Sequence, residues 1–120
     1  MKTGTILFFF VLIALGSCQD STKIPSNIIP RAKMETVLWD MMLADRYSAQ
    51  FLLKDSLSKD VKLETMKLYE GVFQLHKISR EEFVKSYKYY LNRPDISKVI
   101  FDSLSARGGR NRELLYQKTQ

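Results

Sequence analysis

The chain has 120 residues, with 19 Lys and Arg against 13 Asp and Glu, one Cys, one His and a net charge of +6. That length suits one core rather than two, and a single cysteine excludes an internal disulfide framework or a multi-cysteine zinc or iron–sulfur site. One histidine excludes the usual multi-histidine metal sites, and 45% hydrophobic with 27% charged residues is the balance of a folded domain.

Residues 1–17 read as a cleaved signal peptide. Lys2 supplies the positive start, and residues 6–15 form an unbroken apolar run of ten. This matches a signal-peptide core and falls short of the roughly 20 apolar residues that cross a bilayer. The run ends in Leu15-Gly16-Ser17-Cys18, which resembles the bacterial lipobox. An ordinary signal peptide with a chance cysteine, or an uncleaved anchor, are the alternatives. Position, spacing and the lack of a second cysteine favour the lipobox over both. The resemblance implies that Cys18 carries diacylglycerol and an N-acyl chain, a covalent lipid and not a cofactor. Two or three such chains, at about 0.8 kcal/mol per buried CH₂, hold a protein at a membrane. Gln19 after the cysteine implies, by similarity to known sorting rules, the outer membrane. Asp20 adds a charge beside the anchor, and periplasmic and surface-facing placements both stay open.

The lipidated cysteine and a flexible tether occupy residues 18–30, where Pro25 and Pro30 interrupt any helical period. Residues 31–107 are expected to form the helical domain. Over 31–53, Met34, Leu38, Met41, Asp45, Ser48 and Leu52 share one stripe, and Pro30 suits a helix start. Residues 54–60 read as a polar loop. A second helix covers 61–76, with Met66, Tyr69 and Phe73 on one row and Leu68, Val72 and Leu75 beside it. Gly71 within it either weakens the helix or admits a close neighbour. Ser79 with Glu82 spells a capping box, opening a third helix whose inward face is Phe83, Tyr87, Tyr90 and Leu91. Pro94 ends that helix and opens a fourth with Ile96, Val99, Ile100 and Leu104 on its apolar face. Gly108-Gly109 is expected to stop it, leaving 108–120 as a basic flexible tail. No strand pattern interrupts this order, and short connections predict an all-α fold, a small antiparallel bundle of three to four helices.

The segments IPRAKMETVLWDMMLADRY, LYEGVFQLHKISREEFVKSYKYYLNRPD and VIFDSL together resemble the helical domain of Bacteroidota lipoproteins known as domain of unknown function family 4296. The likeness rests on Ile29-Pro30, Val37-Leu38-Trp39-Asp40, Leu43-Ala44, Glu82-Phe83, Ser86, Tyr89-Tyr90 and Pro94, and covers roughly residues 29–105. Asp45 stands where glutamate is expected. The resemblance implies a small helical envelope lipoprotein and carries no activity, substrate or cofactor with it.

Asp40 and Asp45 are five apart, about 140° around a helix, and so do not form a facing pair. Asp45 in the apolar stripe needs a partner if buried, and an interhelical polar clamp of Asp40, Asp45, Ser86 and Tyr90 is the reading favoured over a catalytic acid. Glu81 and Glu82 suit a helix N-terminus, and His76 suits a helix C-terminus, each through the dipole. No nucleophile motif, metal-ligand spacing or phosphate loop accompanies them. Trp39 and Tyr89 are the aromatics least demanded by the core, and with Lys85 and Lys88 they form a candidate interaction surface. Basic and aromatic residues are interleaved at helical spacing, and export argues against nucleic acid as their partner. The expected function is a lipid-anchored, non-enzymatic interaction or structural module that binds another envelope protein. The alternatives are membrane-surface or anionic glycolipid binding through the basic face and tail, and, more weakly, a small envelope hydrolase using Asp40 or Asp45.

Overall fold

A computed structural model describes residues 23–54 and 60–119 of the chain. The signal segment, Leu15, Gly16, Ser17, Cys18 and Gln19 lie outside the described residues, as do 55–59 within the expected polar loop.

The described residues form four helices and no strand: α1 (Arg31–Tyr47), α2 (Val61–His76), α3 (Arg80–Leu91) and α4 (Pro94–Lys118). The fold is therefore an all-α bundle, as the periodicity implies. Short π-helical winding at Ser48–Leu52 extends α1.

Local chemistry sets the boundaries. Asp60 caps α2 by accepting from the Leu63 N–H. Ser79 and Glu82 make both bonds of the expected capping box on α3. Those backbone and hydroxyl donors hold the Glu82 carboxyl below its ordinary range. Pro94 sits at the start of α4, where its missing N–H costs nothing. Between α2 and α3 the turn is tight: Lys77 adopts a left-handed φ of 52°, and the Ile78 N–H donates back to the Phe73 carbonyl at 3.1 Å.

Paired contacts give the directions. Asp40 meets His76, Asp45 meets Tyr69 and Ser48 meets Thr65, so α2 runs antiparallel to the second half of α1. Ser86 and Tyr90 of α3 meet Ile29, just before α1, so α3 descends along its first half. The chain then turns at Pro94. Ser103 meets Glu35 and Arg107 covers Trp39, which means α4 climbs in the same direction as α1.

The main core joins Ile28, Ile29, Met34 and Trp39 to Tyr90, Ile96, Ile100 and Leu104, and a second cluster joins Val37 and Ala44 to Val72. Two expectations change here. Ile28 and Ile29 are 6% and 7% exposed, so the flexible tether does not extend to residue 30. A turn closed from the Ile28 N–H to the Pro25 carbonyl lets both isoleucines fold back under α3. In addition, Gly108-Gly109 does not stop α4, which continues through both glycines to Lys118. Neither glycine has a positive φ, and the helix simply absorbs two poor helix formers, each costing about 1 kcal/mol relative to alanine. Leu75, Leu91 and Val99, expected on inward faces, are exposed. Space beside Gly71 is open, so it serves no close approach.

Candidate functional site

The expected clamp exists as two separate devices. One lies on α3. The Ile29 N–H donates to Ser86 Oγ at 2.9 Å, and Tyr90 Oη donates to the Ile29 carbonyl at 2.6 Å. Ser86 is wholly buried and Tyr90 nearly so; burial raises the Tyr90 phenol above its ordinary pKa. These two hydroxyls satisfy both polar backbone groups of one buried residue, which is why a serine can sit in the core.

The other device is a polar ladder between α1 and α2. Asp40 Oδ2 lies 2.6 Å from His76 Nε2, Tyr69 Oη donates to Asp45 Oδ1, and the Ser48 and Thr65 hydroxyls lie 2.6 Å apart. Asp45 is exposed rather than buried and pairs with Tyr69, not with Ser86 or Tyr90. Acceptance by its carboxylate, with some burial, pushes the Tyr69 phenol up to about 12. His76 is partly buried and bonded across to α1 instead of capping its own helix. The signal was there in principle: Asp40 and His76 each sit one step off their apolar stripes. Without the register of α1 against α2, nothing in the sequence pairs them. Among the described residues no hydroxyl bonds to His76, so the pair lacks the nucleophile arm of a hydrolytic triad. No group of three or more His, Cys, Asp or Glu among them could hold a metal.

The candidate interaction surface is also redrawn. Trp39 is 6% exposed, covered by the Arg107 guanidinium 4.4 Å from its ring centroid. Tyr89 is half-buried, edge-on to Tyr90 and bonded at its hydroxyl by Arg93. Lys85 and Lys88 are exposed, as their spacing implies. These four do not make one patch.

What the fold leaves open lies above α3. There α1 and α4 run side by side with a groove of about 400 Å³ between them, floored by Trp39, Met42, Leu43, Phe101 and Leu104 and edged by Arg46 and Arg112. Leu43, Arg46 and Asn111 carry it into a second hollow of about 670 Å³, which adds Leu114, Leu115 and Lys118. Among the described residues, none of α2 or α3 and no carboxylate lines either part. Met42, Leu43, Phe101, Leu114 and Leu115 are 44–62% exposed despite their apolar side chains. Leu114 and Leu115 escape a reading that ends α4 at its glycines. The series Phe101, Leu104, Gly108, Arg112, Leu115 at three- and four-residue steps is the signal that continues the helix.

A small all-α bundle with an apolar, arginine-edged groove is thus the class of protein defined by the fold. The chain belongs to the family described as "Domain of unknown function (DUF4296)", whose match spans residues 25–112, most of the chain. No curated protein and no solved structure matches it.

Proposed function

We propose that the chain is a lipid-anchored envelope lipoprotein, fixed at Cys18 to the outer membrane, whose helical domain is a non-enzymatic module for binding another envelope protein. The observation that carries the interaction reading is the α1/α4 groove: a concave, apolar, cation-edged channel on a domain too small to cover it. The anchor reading rests on the sequence around Cys18. No helix among the described residues is long and apolar enough to cross a membrane.

A second reading has its own observation. The last turns of α4 carry Arg110, Arg112 and Lys118 with exposed Leu114, Leu115 and Tyr116, a composition suited to anionic headgroups.

The test combines two measurements on the tagged chain in its own cells. Mass spectrometry of the mature N-terminus should find Cys18 acylated, and Cys18→Ser should abolish the modification. Crosslinking should capture one dominant envelope protein. Crosslinks to lipid alone would favour the second reading, and an unmodified Cys18 would refute the anchor.

A further inference from the structure

We infer that the α1/α4 groove seats an acidic amphipathic helix supplied by a partner protein, an inference that rests on the interaction reading above and names the partner's chemistry. Shape is the first argument. Two helices running side by side present a channel for a third. From Phe101 to Lys118 that channel is about 26 Å long, or roughly five helical turns.

Charge is the second. Arg46, Arg112 and Lys118 edge the groove, and among the described residues no carboxylate lines it. An apolar stripe flanked by Asp and Glu would fill the floor and give each guanidinium a bidentate acceptor. The third argument is the state of α4 itself. From Gly108 onward it is helical with most side chains exposed, and it contains two glycines. An isolated segment of about three turns is marginal in water, so cover along its apolar edge is what would hold it helical.

The same observations discriminate against other occupants. A second copy of this chain laid symmetrically in the groove would set Arg46 and Arg112 against their own equivalents. A flat bilayer does not enter a channel between two helices. Moreover, the N-terminal approach of the chain, where Ile24 and Ile96 line one cleft, lies at the far end of α4, about 30 Å from Leu115.

The experiment places a photo-crosslinking residue at Leu43, at Leu115 and, as a control on α2, at Lys62 of the full chain in its own cells, and maps the captured peptides. Positions 43 and 115, but not 62, should reach the same protein segment, one with apolar residues at helical spacing and Asp or Glu beside them. Arg46→Glu with Arg112→Glu should lower that yield about tenfold, and Asp/Glu→Lys changes in the captured segment should restore it, which a misfolded variant would not allow. Adducts with lipid only, with a second copy of this chain or with a basic segment would overturn the inference, as would equal yield at position 62. Acylation at Cys18 is read in the same sample. An unacylated chain that still captures an acidic helix refutes only the anchor, and an acylated chain whose groove captures lipid refutes only the docking.

Discussion

Replacing Ser86 by alanine tests how the segment before α1 is held. In the native fold the Ile29 N–H, buried with its residue, donates to Ser86 Oγ at 2.9 Å. Alanine leaves that buried N–H without its acceptor, a loss of about 1–3 kcal/mol. For a domain of this size each kcal/mol lowers Tm by roughly 4–8 °C. Tyr90→Phe removes the 2.6 Å bond to the Ile29 carbonyl and should cost about 1–2 kcal/mol. Because both hydroxyls hold one residue, the double variant should fall short of the sum: once Ile29 is released, water reaches both of its polar groups. Thermal and urea unfolding of the full chain in neutral detergent, read by circular dichroism, gives the three values. Hydrogen exchange at the Ile29 amide shows whether the segment detaches. Thr36→Ala, on an exposed helix surface, serves as the reference and should stay within about 0.5 kcal/mol. If Ser86→Ala unfolds like Thr36→Ala with the Ile29 amide still protected, the argument for the clamp is wrong.

Three further outcomes follow from the geometry. A cycle of Asp40→Ala and His76→Ala should return a coupling of about 1 kcal/mol in urea unfolding; additive effects would mean that the 2.6 Å contact does not join α1 to α2. Gly108→Ala and Gly109→Ala, in open space, should each stabilise the end of α4 by about 1 kcal/mol, visible as slower amide exchange over residues 106–116, and faster exchange there would contradict a continuous helix. The Tyr69 phenol, raised to about 12, favours the protonated form in the fold. Its contribution is therefore complete below about pH 10 and declines as the pH rises towards 12. The drop in urea midpoint between about pH 9.5 and about pH 11.5, from just below the unfolded value towards the folded one, should be shallower in Tyr69→Phe, and an unchanged slope would remove the Asp45 bond as its cause.

Much of this architecture is legible in the sequence because its signals are local. Ser79 and Glu82 cap α3, and Pro94 opens α4, through groups within one turn of each helix end. The inward positions of Met34, Val37, Tyr90, Ile96, Ile100 and Leu104 follow from a 3.6-residue period. The misreadings are equally physical. Ile28 and Ile29 lie between two prolines, where no period exists to mark them as core, and only the hydroxyls of α3 fix them inside. Gly108-Gly109 resembles a stop because glycine favours the position after a helix, yet the three- and four-residue spacing runs on beyond it to Leu115. Asp45 shares a stripe with core residues, but α1 turns that part of its surface to the edge of α2, where a tyrosine hydroxyl meets it in solvent. Trp39 reads as a free aromatic because its cover, Arg107, is 68 positions away in the chain. The groove is illegible in the sequence for the same reason: it exists only where α1 and α4 run side by side.

The most direct test compares amide exchange over residues 108–118 in two settings: the purified full chain in neutral detergent, and the same chain in isolated native envelopes. If the groove is the binding site, these amides exchange rapidly in the purified chain and are protected in the envelope, and Arg46→Glu with Arg112→Glu removes the protection. Equal exchange in both settings would contradict the claim that anything occupies the groove.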